Sequence, residues 1–61
     1  MKTYTKDELK EALTAINSTI SKCEKVMPKL KPNSAQQTLL SRRIKALNIS
    51  AQLIERELSG L

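Results

Sequence analysis

The residues with the most evident chemistry in this sequence are basic, and they cluster in the middle of the chain. Between residues 22 and 45, seven lysines and arginines stand against one acidic residue, Glu24, whereas the rest of the chain has four basic and five acidic residues. A positive cluster attracts phosphate groups, acidic proteins and anionic membrane surfaces. The side chains that we single out for anion or nucleic-acid contact are Lys29, Lys31, Arg42, Arg43 and Lys45.

The basic stretch TLLSRRIKAL, residues 38 to 47, lacks the pattern of a helix that reads base sequence. Arg42, Arg43 and Lys45 are spread around a helix at about 100° per residue instead of lining one face. The chain has no Trp or Phe to stack on unpaired bases, and no tight glycine-bearing turn joins two short helices as in a helix-turn-helix. Accessory nucleic-acid binding is therefore our alternative function, and nucleic acid is not the favoured partner.

Catalytic and metal chemistry has little support in the residue types. The chain has no His and a single cysteine, Cys23, so it cannot supply the four N/S ligands of a structural zinc site. No histidine is present to activate the thiol as a nucleophile. The acidic residues fall at a helix start or at solvent-facing positions, where capping and surface pairing explain them. We expect no catalytic residue, metal or cofactor, and predict that the protein is not an enzyme.

The first predicted helix, about residues 5–27, opens with a start signal. Thr5 and Glu8 have the T-x-x-E spacing of a capping box, in which each side chain accepts the other residue's backbone N–H. Tyr4 and Leu9 have the spacing of a hydrophobic staple, a contact that fixes the angle at which the chain enters a helix. These two signals predict that the helix begins at Thr5.

A turn is predicted over residues 28–33. Pro28 disfavours helix at the residue before it and lacks the N–H that a helix interior needs, so it either ends or kinks the first helix. Asn33 or Ser34 is expected to cap the next helix, and Gln37 has the spacing to complete a second capping box with Ser34.

The second predicted helix, about residues 34–59 with Gly60 ending it, repeats the apolar spacing of the first. In both helices the apolar residues recur at alternating steps of four and three. When the helices are placed antiparallel, the residue numbers of each facing pair, such as Ile20 with Leu47, add up to 67. One antiparallel register therefore satisfies every layer. The predicted seam comprises Leu9, Leu13, Ile16, Ile20, Cys23, Met27, Leu30, Leu40, Ile44, Leu47, Ala51, Ile54, Leu58 and Leu61.

Further apolar residues lie on one side of this seam, and they predict a second copy as partner. If the second helices of two chains pack antiparallel near Ile49 and Ser50, Ala46 meets Leu53 of the other chain. Arg42 and Arg43 then approach Arg56 and Glu57 of that chain, and they could pair with Glu57. Most oligomeric proteins are symmetric assemblies of identical chains, so we expect a homodimer. The predicted interface is Ala12, Ala15, Thr19, Val26, Leu39, Arg42, Arg43, Ala46, Ile49, Ser50, Leu53 and Glu57.

These patterns predict a single all-α domain over residues 1–61, an antiparallel two-helix hairpin that pairs into a dimeric four-helix bundle. A core of this size supplies only about 3–5 kcal/mol, which favours self-association. No apolar run approaches the roughly 18 residues of a membrane span, no export signal is evident, and the location expected is the cytoplasm. The function expected is protein interaction without catalysis, with another helical protein or an acidic protein as alternative partners.

Overall fold

The computed structural model describes residues 3–60 as two α-helices joined by a short 3₁₀ turn. Helix α1 is Lys6–Val26, the 3₁₀ turn is Met27–Lys29, and helix α2 is Ala35–Ser59. No strand is present in this range. The predicted all-helical hairpin is therefore confirmed.

The start of α1 has the predicted capping box. The Glu8 N–H donates to Thr5 Oγ1 at 3.1 Å, and the Thr5 N–H donates to Glu8 Oε1 at 3.0 Å. Leu9 is buried, but Tyr4 keeps 59% of its surface exposed. The capping box, more than a buried staple, thus defines the beginning of the helix.

Pro28 ends α1 and does not merely kink it. The last α-helical residue is Val26, and Pro28 lies inside the 3₁₀ turn, after which Leu30 is extended with φ −86° and ψ 147°. A proline nitrogen cannot donate the hydrogen bond that would continue an α-helix. The turn is closed instead by the Leu30 N–H, which donates to the Met27 carbonyl at 3.2 Å.

The cap of α2 differs in one bond from the predicted box. The Gln37 N–H donates to Ser34 Oγ at 3.1 Å as expected, but Gln37 Oε1 accepts from the Asn33 N–H at 2.8 Å. The Ser34 N–H is already bonded to the Lys31 carbonyl at 3.2 Å, so the Gln37 amide bonds one residue earlier. Asn33 is left-handed, with φ 62°, a conformation that Asn tolerates better than most residues.

The far end of α2 is closed without a left-handed residue. The Gly60 N–H donates to the carbonyls of Arg56 and Glu57, each at 3.2 Å, and Gly60 has φ −84° and ψ −4°. A Cβ at this position would lie 3.6 Å from the Glu57 carbonyl oxygen, an ordinary contact. Gly60 is therefore not required by backbone conformation, and Leu61, predicted as the last seam residue, lies outside the described residues.

The two helices pack side by side along the predicted seam. Their lengths of about 31 and 37 Å fit an envelope of 42 × 19 × 17 Å only if they lie alongside one another. Every predicted seam residue from Leu9 to Leu58 is buried or half-buried, whereas most residues between them are exposed. Met27 lies beside Gln37 and Ser41, the part of α2 that the antiparallel register places opposite it.

The core of the hairpin is thin. Among residues 3–60, the buried apolar side chains are Leu9, Ile20 and Ala51, and none of them is completely enclosed. Every side-chain hydrogen bond in this range joins residues three or four positions apart, so none crosses the seam. Among residues 3–60, the packing between the two helices is therefore apolar contact without side-chain hydrogen bonds.

Candidate interaction surface

A second apolar surface, which we call the outer apolar face, lies on one side of the seam. Its large side chains remain exposed: Val26 at 43%, Leu39 at 59%, Ile49 at 50% and Leu53 at 57%. The smaller residues predicted to share this face are exposed as well, namely Ala12, Ala15, Thr19, Ala46 and Ser50. The structure thus leaves the predicted apolar interface residues open to solvent.

The hydroxyl groups of Thr19 and Ser50, both on the outer apolar face, are turned toward their own helices. Thr19 Oγ1 donates to the Ala15 carbonyl at 2.9 Å, and Ser50 Oγ donates to the Ala46 carbonyl at 2.9 Å. Each hydroxyl donor is thereby satisfied within its helix. A partner could cover this face without leaving either hydroxyl donor unpaired.

Tyr4, which the sequence predicts only as a staple residue, also belongs to the outer apolar face. It lines a shallow groove with Glu8, Glu11, Ala12 and Ala15. Positions 4, 8, 12 and 15 follow one another at helical spacing, so the pattern could have placed Tyr4 beside the alanines. The ring extends the outer apolar face toward the open end of the hairpin, where α1 begins and α2 ends.

The hairpin exposes more surface than a compact protein of its mass. Its accessible surface is 5151 Å², about 1,200 Å² more than the roughly 3,950 Å² expected for a compact monomer of 6.8 kDa. Its Cα radius of gyration of 14.0 Å likewise exceeds the ~10.5 Å of a compact chain of this length. A specific protein interface covers about 800 Å² on each partner, so the excess is large enough for one.

The basic residues between 22 and 45 gather at the turn end of the hairpin, and we call this region the basic turn end. The five side chains predicted to contact anions, from Lys29 to Lys45, are all exposed. Arg42 shares a concavity with Met27, Thr38 and Ser41, on the polar side of the seam. Because Arg43 lies 100° further around the helix, it borders the outer apolar face.

The side of the hairpin opposite the outer apolar face is polar. Its side chains are all exposed, namely Lys10, Asn17, Glu24, Ser41, Asn48 and Glu55. Glu57, the acidic residue predicted for the interface, is also exposed, near the C-terminal end of α2. The two broad sides of the molecule therefore differ sharply in polarity, and only one of them suits an apolar partner.

The described residues do not converge on a chemical centre. Within residues 3–60, no three His, Cys, Asp or Glu side chains lie close enough to hold a metal ion. The pKa of the Glu8 carboxyl is lowered chiefly by a hydrogen bond from the Thr5 backbone and to a smaller extent by one from the Thr5 side chain. Both bonds favour the charged carboxylate within the helix cap. Neither helix in this range is long and apolar enough to cross a membrane.

No protein-family model, curated protein or solved structure matches the chain. The surfaces of the hairpin are therefore the basis for proposing a function.

Proposed function

We propose that this protein is a small non-catalytic interaction protein that self-associates through its outer apolar face, so that two hairpins form a four-helix bundle. The observation that carries this proposal is the set of four half-exposed large apolar side chains on one side of a thin hairpin. Contiguous apolar patches of this kind mark interaction sites on proteins. The same proposal includes two further statements: the protein lies in the cytoplasm, and it has no catalytic role.

Burial of the outer apolar face would stabilise a dimer measurably. Covering the exposed half of a Val, Leu or Ile side chain contributes about 1 kcal/mol, and a symmetric dimer would cover eight such side chains. Association costs at least about 4 kcal/mol in lost translational and rotational freedom. These eight side chains alone leave a net of about −4 kcal/mol, which is a dissociation constant near 1 mM. The micromolar dimer that we propose therefore takes a further ~4 kcal/mol from the smaller residues of the face and from charge pairs at its margins. Such a dimer would add stability to a monomer whose core is small.

A second copy fits this face because its residues complement one another in size. When two α2 helices cross antiparallel near Ile49 and Ser50, the small Ala46 lies opposite Leu53 of the second copy. Both residues are exposed in the single chain. A small residue opposite a large one lets helices interdigitate without voids.

Leu53→Glu tests the proposal, with Gln52→Glu as the matched control. Both changes add one negative charge to the same turn of α2, but only Leu53 belongs to the outer apolar face. Sedimentation at micromolar concentration should show a dimer for Gln52→Glu and a monomer of lower helical stability for Leu53→Glu, because burying an unpaired carboxylate is costly. Equal masses for the two variants would contradict the proposal.

Nucleic-acid binding at the basic turn end is the second candidate function. The observation in its favour is that the five singled-out lysines and arginines are all exposed at one end of the hairpin. Binding to duplex and single-stranded nucleic acid should weaken steeply with added salt if this end neutralises phosphates. No binding at low salt would eliminate this candidate, while an acidic protein or an anionic membrane surface would use the same end.

A further inference from the structure

Two hairpins can stack face to face with twofold symmetry in two ways. A twofold axis parallel to the helices puts both turns at the same end of the bundle, with α1 of each chain on α2 of the other. A twofold axis perpendicular to the helices puts the turns at opposite ends, with α1 on α1 and α2 on α2. Adjacent helices are antiparallel in both arrangements, so apolar packing alone does not separate them.

With both turns at the same end, like charges come together. The symmetry keeps facing residues at the same height, so residues whose numbers sum to about 67 lie side by side between the chains. Lys22 then lies beside Arg43 of the second copy, and Glu11 beside Glu57 of the second copy. All four side chains are exposed and border the outer apolar face. Like charges at this spacing repel one another at both ends of the interface.

With the turns at opposite ends, the same four residues form pairs of opposite charge. With an axis near Ile49 and Ser50, Arg43 and Glu57 of the second copy differ in position along the helix axis by no more than about 3 Å. The same is true of Lys22 and Glu11 of the second copy. The basic turn end of each hairpin thus meets the open end of the other. Among the described residues the open end carries five acidic and three basic side chains.

We propose that the outer apolar face accepts a second copy in the opposite-end arrangement, in which each basic turn end lies beside the more acidic open end of its partner. This inference rests on the proposed self-association and specifies its geometry. On the α1 side the same arrangement puts Ala15 near Thr19 of the second copy, and small residues there allow the helices to approach closely. The bundle then displays one basic turn end at each of its two ends.

Distances between spin labels at the turn test the arrangement. The labels are attached at Lys31→Cys in a Cys23→Ala background, because Cys23 is the chain's only native thiol. Lys31 lies outside the proposed interface, and its label should leave association intact. The opposite-end arrangement predicts a separation of about 40 Å, from the rise of the helices on either side of the axis, whereas turns at the same end would lie less than about 25 Å apart.

A sample of two differently labelled chains measures the distance from the turn of one copy to the open end of the other, and checks of folding accompany it. Chains labelled at Lys31→Cys are mixed with chains labelled at Ser59→Cys, and their helix content and mass are checked first. The proposal predicts a short distance that appears only when the two kinds of chain are mixed, and the same-end arrangement predicts a long distance that appears only on mixing. A short Lys31→Cys separation in a dimeric sample would overturn the arrangement alone. A monomeric mass without any interchain distance would overturn the self-association as well.

Discussion

The seam and the outer apolar face are built from the same residue types, yet they differ in how much of their surface is exposed to solvent. Seam residues such as Ile20 are buried or half-buried, whereas Ile49 and Leu53 on the outer apolar face keep half or more of their surface exposed. Two helices can bury only one stripe each against one another. A hairpin with a second apolar stripe therefore has more hydrophobic surface than its own fold can use.

The largest expected difference between the two surfaces is in unfolding. Ile20→Ala should lower the free energy of unfolding by about 2–5 kcal/mol, which approaches the whole stability of a core this small. Ile49→Ala removes the same atoms from a half-exposed site and should cost the single chain about 1 kcal/mol. Denaturant unfolding followed by circular dichroism at low protein concentration measures both, and equal losses would remove the distinction between the two surfaces.

An effect of intermediate size, on the dissociation constant of the dimer, is expected from the charged residues that border the outer apolar face. Arg43→Glu should raise the dissociation constant of the dimer roughly two- to tenfold, because it replaces an attraction to Glu57 of the second copy with a repulsion. The double variant Arg43→Glu, Glu57→Lys restores opposite charges and should recover most of the affinity. Analytical ultracentrifugation at low salt gives these constants. Tighter association of the Arg43→Glu single variant would instead indicate that the turns share one end.

The smallest expected effect belongs to the capping box, which contributes no apolar side chain to either surface. Hydrogen bonds from Thr5 lower the pKa of Glu8 below its usual value of 4.5. A carboxyl whose pKa is lower in the folded state contributes stability above the unfolded pKa, and this contribution is lost as the pH falls through the folded pKa. Thermal unfolding should therefore show a small acid-dependent loss below about pH 4.5 that Glu8→Gln reduces. An unchanged pH profile in this variant would show that the cap adds no such dependence.

The sequence predicts the seam well because burial there follows directly from periodicity. Each seam residue from Leu9 to Leu58 is less exposed than its helical neighbours, and the T-x-x-E spacing located the capping box. The bond from Asn33 to Gln37 could not be predicted, because it depends on how the Lys31 carbonyl is already used. The direction of the Arg42 side chain could not be predicted either. Arg42 and Arg43 are neighbours in the sequence, but Arg42 lies toward the polar side of the hairpin.

The outer apolar face is less fully determined by pattern than the seam. Helical spacing places Leu39, Ala46 and Leu53 on one side of α2, and their exposure agrees with this placement. What covers them depends on another molecule, and periodicity within one chain does not identify that molecule. Size and charge complementarity are the properties that favour a second copy.

Sedimentation equilibrium of the unmodified chain across about 1–100 µM, the range in which a dimer of micromolar affinity dissociates, tests the central claim most directly. If a second copy covers the outer apolar face, the mass should rise with concentration from the 6.8 kDa of one chain toward twice that value. A mass that stays at 6.8 kDa throughout this range would contradict self-association.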